Sequence, residues 1–188
     1  MVESLESGNT FGAKYWTDGK CEAPMLPDAP WLCRHPDTGE LFWTDACDQV
    51  AERAIWEKDQ LYADVPFAEE PMLDDYIRAL ETGLAAAQEK ERYVRVRYWW
   101  KSNDPVRQGG DIGGSEDAFR RNLSRLHALL DTSDPNQRLM AAEAARELQN
   151  FADSKSLLEY NFPENYSRAV TLIKRLVNEE NSQVALLS

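Results

Sequence analysis

The chain has few of the residues that most catalytic and metal sites use. Its 188 residues include only two histidines and three cysteines. It contains no P-loop, no dinucleotide-binding glycine pattern and no His-Glu-x-x-His pair. Basic residues are also scarce, since 21 lysines and arginines stand against 33 aspartates and glutamates, giving a net charge of −12. Such a balance repels phosphate backbones and therefore disfavours nucleic-acid binding.

Long apolar runs are absent as well. No stretch approaches the roughly 18 consecutive apolar residues that are needed to cross a bilayer. The segment 1–10 is polar and acidic and lacks the apolar core of a signal peptide. We therefore expect a cytoplasmic protein with no membrane partner. In that compartment Cys21, Cys33 and Cys47 are expected to be reduced thiols.

What the chain does contain is enough apolar and aromatic material for a core. Apolar residues make up 43% of it, aromatic residues 10%, and there are six tryptophans, so disorder along the whole chain is excluded. Shifts in composition divide the chain into three parts. We expect a flexible N-terminus over residues 1–14, an aromatic, ribbon-like hairpin module over 15–43 and a helical domain over 44–188.

The hairpin is predicted around a turn sequence, His35-Pro36-Asp37-Thr38-Gly39. Proline fixes φ for the second turn position, and glycine accepts a positive φ at the end of the turn. The flanking segments 31–33 and 41–43 are short and rich in aromatic and apolar residues, which is typical of strands.

Helical patterns dominate the rest of the chain. Apolar spacing, capping residues and prolines predict about seven helices, over 44–58, 74–87, 89–103, 115–131, 135–149, 151–159 and 165–178. The segment 89–103 also shows strand-like alternation, but no turn signal precedes it, and we interpret it as a helix. The predicted fold is mainly α, a helical bundle or a short array of helical hairpins with a small N-terminal β-hairpin module.

One helical pair resembles a known motif. Residues 139–158 read Leu-Met-Ala-Ala-Glu-Ala-Ala-Arg-Glu-Leu-Gln-Asn-Phe-Ala-Asp-Ser-Lys-Ser-Leu-Leu, with small Ala142 and Ala145 where two helices would approach. This pattern resembles the helix–turn–helix of a tetratricopeptide-type repeat. Only one unit is visible, whereas repeat arrays generally need about three, so a helical hairpin within a globular bundle is favoured over a true array.

The turn and the strand after it show a second resemblance. They resemble a degenerate zinc-ribbon knuckle, with the sequence His35-Pro36-Asp37-Thr38-Gly39-Glu40-Leu41-Phe42-Trp43. His35 occupies the first ligand position of that motif, but Thr38 occupies the second and is a poor zinc ligand. An alternative ligand set consists of Cys21, Cys33, His35 and Cys47. No Cys-x2-Cys pair supports this set, so a knuckle-shaped hairpin without metal is favoured over bound zinc.

The whole arrangement, an aromatic ribbon-like N-terminus followed by helices, resembles a bacterial protein type to which no activity is attached. The chain offers no catalytic set, which favours a non-enzymatic protein–protein interaction or regulatory module, with a protein partner or a second copy as its target. Two alternatives stay open. One is a small zinc- or thiol-dependent protein using the cysteine and histidine set, and the other is an acidic inhibitor or immunity-type protein.

The candidate partner-binding residues are Arg95, Arg97, Trp99 and Trp100, because arginine and tryptophan are enriched at interface centres. A second candidate surface is the helical hairpin over 135–159. Consecutive residues on a helix point about 100° apart, so the two tryptophans do not share one pocket. The alternative interpretation is that one of them fills the core and the other covers the N-terminal hairpin.

Overall fold

The computed structural model describes residues 8–26, 28–50 and 65–187. In this part of the chain lie six α-helices and two small antiparallel sheets near the N-terminus. The predicted mainly α fold with a small N-terminal β-hairpin is confirmed. Among the residues described, no helix combines the length and apolar character needed to span a bilayer. Residues 1–7 of the predicted flexible N-terminus lie outside the described ranges.

Each of the two sheets is a pair of short strands. Strand β3 (Leu32–Arg34) pairs with β4 (Leu41–Trp43) in the predicted hairpin, with Leu32 opposite Trp43. Gly39 takes a φ of +69°, as the turn sequence predicts. A second sheet, which the sequence did not predict, joins β1 (Lys14–Tyr15) to β2 (Cys21–Glu22).

The helix predicted over 44–58 does not begin as expected. The structure has a single 3₁₀ turn at Thr44–Ala46, and the backbone is extended again at Cys47. The reason is that the Thr44 N–H donates to the Trp31 carbonyl at 2.9 Å and so prolongs the hairpin ladder instead of starting a helix. Residues 51–64, which carry the rest of that prediction, lie outside the described part of the chain.

The first α-helix is shorter than predicted. Helix α1 covers Leu73–Glu81 and stops well before residue 87, because Gly83 adopts a φ of +78°. The Asp75 carboxylate accepts a hydrogen bond from the Met72 N–H at 2.9 Å and thereby caps the start of the helix.

Helix α2 (Gln88–Arg107) resolves the ambiguous segment as a helix and runs longer than predicted. Pro105 lies inside it instead of ending it. Two bonds from beyond the regular helix pattern brace the turn around the proline: the Arg107 guanidinium donates to the Trp100 carbonyl and the Gly113 N–H to the Ser102 carbonyl, both at 2.8 Å. The last turn therefore survives a residue that usually interrupts helices.

The remaining helices lie within about two residues of the predicted bounds. They are α3 (Glu116–Leu129), α4 (Pro135–Glu147), α5 (Phe151–Leu157) and α6 (Ser167–Asn178), the last preceded by a 3₁₀ turn at Glu164–Tyr166. Asp134 caps α4 as predicted, since its Oδ1 accepts from the Gln137 N–H at 2.8 Å. Ser115 precedes α3 at the capping position, but its side chain makes no capping hydrogen bond.

Consecutive helices pack against one another, and three apolar clusters fill the spaces between them. The first joins the β3–β4 hairpin to α1 and α2, the second joins α2, α3 and α4, and the third joins α4, α5 and α6. Ala142 and Ala145 are both buried where α4 meets its neighbours, as expected for close helix approach.

The two ends of the described chain are held together. The Thr17 N–H donates to the Ala185 carbonyl at 2.9 Å, and the Leu187 N–H donates to the Tyr15 carbonyl at 2.7 Å. Trp16 and Leu186 form an antiparallel bridge between these bonds. We call this short pairing the terminal clasp.

Candidate functional site

A cleft of about 310 Å³ lies between the β3–β4 hairpin and the start of α4, with α2 as its floor. That volume is at the lower end of the range for ligand pockets, roughly 300–1,000 Å³. Most of its exposed surface is apolar or aromatic, although half of the lining residues are polar or charged. The lining residues are Trp31, Glu89, Arg92, Tyr93, Val96, Arg97, Trp100, Leu130, Asp134, Asn136, Gln137 and Met140. We refer to this feature as the aromatic cleft.

Two stacked rings form one wall of the aromatic cleft. The rings of Trp31 and Tyr93 lie 5.0 Å apart at an interplanar angle of 8°. The Tyr93 hydroxyl accepts a hydrogen bond from the Trp31 backbone N–H at 2.8 Å, so both ends of the pair are fixed. Trp31 nevertheless remains 54% exposed, which leaves a large aromatic surface open to a binding partner.

Arg97 supports this wall from behind and is neutralised by the protein itself. Its guanidinium lies over the rings of Tyr93 and Trp100, 5.9 and 5.6 Å from their centroids. It also pairs with the Asp28 carboxylate and, at 3.0 Å, with Glu70. Arg97 is thus a buried structural cation that ties two loops to α2.

Arg92 lies further along the same face of α2 and is half-buried. Its Nη1 donates to the Gln137 side-chain oxygen at 3.1 Å, which connects the floor of the cleft to α4. That oxygen also accepts from the Asp131 backbone N–H at 3.1 Å.

The predicted partner-binding residues separate into two groups. Arg97 and Trp100 line the aromatic cleft, and the Trp100 indole N–H donates to the Asp18 carbonyl at 2.9 Å. Trp99 is fully buried in the second apolar cluster, and Arg95 pairs with Glu91 on the side of α2 that faces α3. The structure therefore places one tryptophan in the core and the other against the N-terminal segment, and it does not bring all four side chains to one surface.

Sequence reasoning missed several residues of the cleft, although a signal was present. Positions 89, 92, 93, 96, 97 and 100 follow one another at helical spacing and mark a single face of α2. Arg95 and Trp99 were predicted as partner-binding residues from their residue types, and not from this helical spacing. Trp31 has no such local signal, because it reaches the cleft through the hairpin.

The candidate zinc ligands are not gathered around one point. The Sγ of buried Cys33 approaches the Pro30 carbonyl at 3.4 Å, and that of exposed Cys47 approaches the Trp43 carbonyl at 3.5 Å. Cys21 is exposed on β2. The His35 Nδ1 accepts from the Asp37 backbone N–H at 3.2 Å, which is a turn contact. Across residues 8–26, 28–50 and 65–187, no three His, Cys, Asp or Glu side chains are grouped so as to hold a metal ion.

Behind the aromatic cleft lies a buried polar network that the sequence did not predict. The Glu147 carboxylate accepts hydrogen bonds from the Trp99 indole at 2.8 Å and the Asn103 amide at 3.0 Å. The same amide donates to Asp18, which pairs with Arg107. These contacts connect α2, α4 and the N-terminal segment, and they fix the orientation of α2 beneath the cleft.

A second buried pair extends this network to the C-terminal segment. The Arg146 guanidinium donates to both carboxylate oxygens of Glu143 and to the Asn181 carbonyl, and neither charged side chain is exposed. Charge pairs without access to water need this degree of hydrogen bonding, because an unpaired charge in such a place is costly.

No family model, no curated protein and no solved structure matches this chain. The resemblances to a tetratricopeptide-type hairpin and to a zinc-ribbon knuckle therefore stay predictions made from short motifs. The geometry of the aromatic cleft is what carries the functional argument.

Proposed function

We propose that this protein is a non-enzymatic interaction module of the cytoplasm that receives a short segment of a protein partner in the aromatic cleft. The observation that carries the proposal is the half-exposed Trp31 ring, fixed by stacking on Tyr93 at the edge of the cleft. Rigid aromatic side chains supply large contact areas at low entropic cost, and they are frequent hot spots of binding.

The surroundings of the cleft support binding in preference to catalysis. Its polar side chains are largely engaged in fixing the wall: Arg97 pairs with two carboxylates and Asp134 caps α4. The described lining has no nucleophile beside a base, the arrangement that covalent catalysis requires. The exposed thiols of Cys21 and Cys47 form no disulfide in the described chain, and a reducing cytoplasm maintains thiols in that state.

A selection experiment tests the proposal. Random 12-residue peptides displayed on phage are selected on the wild-type chain, and the recovered peptides are titrated by fluorescence anisotropy. We expect Trp31→Ala to weaken their binding by roughly tenfold or more, as for a typical aromatic hot spot. Phe11→Ala is the matched control, because Phe11 is 81% exposed and does not line the cleft.

Two results would contradict the proposal. One is that no binding peptide is recovered and light scattering gives the mass of a monomer, so that neither a peptide nor a second copy binds. The other is that recovered peptides bind Trp31→Ala as well as the wild type, which would place the binding surface elsewhere. Urea unfolding of each variant verifies that the substitution leaves the fold intact.

A further inference from the structure

One of the basic residues of α2, Arg92, differs from the others in having no carboxylate partner. The helix carries six basic residues, and five of them lie within 4 Å of a carboxylate. These five are Lys90 with Asp45, Arg95 with Glu91, Arg97 with Asp28 and Glu70, Lys101 with Glu70, and Arg107 with Asp18 and Asp104. Among the residues the structure describes, Arg92 has no such partner, and its Nη1 donates instead to the neutral Gln137 amide.

Arg92 is held in position for a ligand. The Gln137 side-chain oxygen that accepts a hydrogen bond from the Arg92 Nη1 also accepts one from the Asp131 N–H. The Gln137 backbone N–H in turn donates to the Asp134 carboxylate at the start of α4. A guanidinium carries five N–H donors in a planar fork, so one bond to an amide leaves donors that suit a carboxylate. Such preorganisation reduces the entropic cost of binding.

The two acidic residues of the aromatic cleft, Glu89 and Asp134, form no ion pair with Arg92. Asp134 is engaged as the cap of α4, and Glu89 is exposed and lies beyond 4 Å from any described cation. The cation Arg97 is balanced by its own carboxylates. Arg92 is thus a cation on the floor of the cleft with no described carboxylate within 4 Å, in a chain whose net charge is −12.

We propose that the aromatic cleft recognises a partner segment in which an aspartate or glutamate side chain stands next to an aromatic or large aliphatic residue. The carboxylate pairs with Arg92, and the apolar side chain packs on the open face of Trp31. A single arginine in an acidic chain matches one carboxylate, whereas phosphorylated segments are bound by clusters of arginines. This inference rests on the proposed function and adds the chemistry of the partner.

The test uses the peptides recovered on the wild-type chain. Each acidic residue is replaced in turn by its amide, glutamate by glutamine or aspartate by asparagine, and dissociation constants are measured for the wild type and Arg92→Gln. We expect an acidic residue beside an apolar one in the recovered peptides. Its amide replacement should weaken binding to the wild type by roughly tenfold and binding to Arg92→Gln by much less, the signature of a direct pair.

A control separates a local pair from a change of net charge. Arg121→Gln removes one positive charge from an exposed position on α3 that does not line the cleft. It should leave the dissociation constants within about twofold of the wild-type values, because distant exposed charges are screened by salt.

The outcomes distinguish this inference from the proposed function. If peptides bind in a manner that depends on Trp31 but ignore both their own amide replacements and Arg92→Gln, the acidic partner is excluded and the binding cleft stands. If Arg121→Gln weakens binding as much as Arg92→Gln, the effect is one of net charge and the pair is refuted. If no peptide depends on Trp31, the proposed function itself fails.

Discussion

Burial raises the pKa of the Glu147 carboxyl well above its ordinary value, because the charged form loses its hydration. The nearby carboxylates of Glu143 and Asp18 act in the same direction, whereas the Trp99 hydrogen bond and Arg146 oppose it. Burial also raises the pKa of Asp18, against the opposing influence of Arg107. The folded protein therefore retains protons that the unfolded chain releases.

These pKa shifts predict that stability declines as pH rises. Above the ordinary glutamate pKa the unfolded chain binds fewer protons than the folded one, so the free energy of unfolding falls with pH up to the raised pKa. One such proton contributes a slope of at most about 1.4 kcal/mol per pH unit. Glu147→Gln should flatten this dependence, as measured by urea unfolding between about pH 5 and 8.

Glu159→Gln provides the control for this measurement, because Glu159 is exposed just beyond α5. It should retain the wild-type slope. Equal slopes for the wild type and Glu147→Gln would mean that Glu147 is ionised in the folded protein.

The two adjacent tryptophans show which side-chain environments can be predicted from the sequence and which cannot. Helical geometry correctly separates Trp99 from Trp100, since neighbours on a helix diverge by about 100°. Which of them enters the core is decided by partners that are distant in the chain. Trp99 bonds to Glu147, 48 residues away, and Trp100 to Asp18, 82 residues away. No local pattern encodes either contact.

Helices α4 and α6 end in the same way, and neither has glycine at the position after the helix where glycine is usual. At the end of α4 the Asn150 N–H donates to the Ala145 carbonyl and the Gln149 N–H to the Arg146 carbonyl, which is a Schellman motif. The residue in the left-handed conformation is Gln149, with a φ of +64°, and Glu180 plays the same role after α6 with a φ of +50°. Glycine is favoured at such positions, since a Cβ atom makes them strained.

We therefore expect Gln149→Gly and Glu180→Gly each to stabilise the protein. The gain should be about 0.5–1 kcal/mol, because the strain of a left-handed non-glycine residue is removed. Both positions are exposed, so little packing is lost. Thermal unfolding with matched urea curves measures the change.

The control for these end positions is a glycine placed at a residue with ordinary helical backbone angles. Ala152→Gly in the first turn of α5 should lower stability by up to about 1 kcal/mol, since glycine has a lower helix propensity than alanine. Destabilisation by all three glycines would indicate that backbone entropy outweighs the relief of strain.

At the scale of elements, local capping signals placed the helix starts, although the Asp134 side chain caps α4 and the Ser115 side chain makes no capping bond to α3. Asp134-Pro135 starts α4 as predicted, because the Asp134 carboxylate and the Gln137 N–H that donates to it are only three residues apart. The proline rule failed at Pro105, where Arg107 and Gly113 donate to the Trp100 and Ser102 carbonyls on either side of the Lys101 carbonyl, the one that proline leaves without its helical donor. The helix expected from residue 44 failed because the Trp31 carbonyl, distant in sequence, captures the Thr44 N–H.

At the scale of the whole molecule, the terminal clasp joins the N-terminal and C-terminal segments of the described chain. It lies beside buried Val184 and Trp16, and the Arg107 guanidinium sits 5.2 Å from the Trp16 ring centroid. The clasp thus adjoins the polar network that orients α2. The clasp was not predicted, because it is an isolated bridge between Trp16 and Leu186 and joins segments that are distant in the chain.

Deleting the chain from Val184 onward should destabilise the whole protein. The loss of Val184 burial and of the clasp hydrogen bonds is expected to cost about 2–4 kcal/mol. Tryptophan fluorescence in the absence of urea should shift to longer wavelength, because the Trp16 side chain becomes exposed to solvent. Gln183→Ala, at an exposed position just before the deletion, is the control. An unchanged urea midpoint for the truncated chain would show that the clasp contributes nothing to global stability.

The clasp also determines how the molecule bears mechanical load. Because Tyr15 and Leu187 are paired in antiparallel orientation, the chain leaves both residues from the same end of the bridge. Force applied through the two ends therefore opens the pairing like a zipper, with the Leu187–Tyr15 bond first and the Thr17–Ala185 bond next. Bonds loaded one at a time yield at lower force than bonds loaded together in shear. A tether through both ends would thus release the clasp before it strains the helices that form the aromatic cleft.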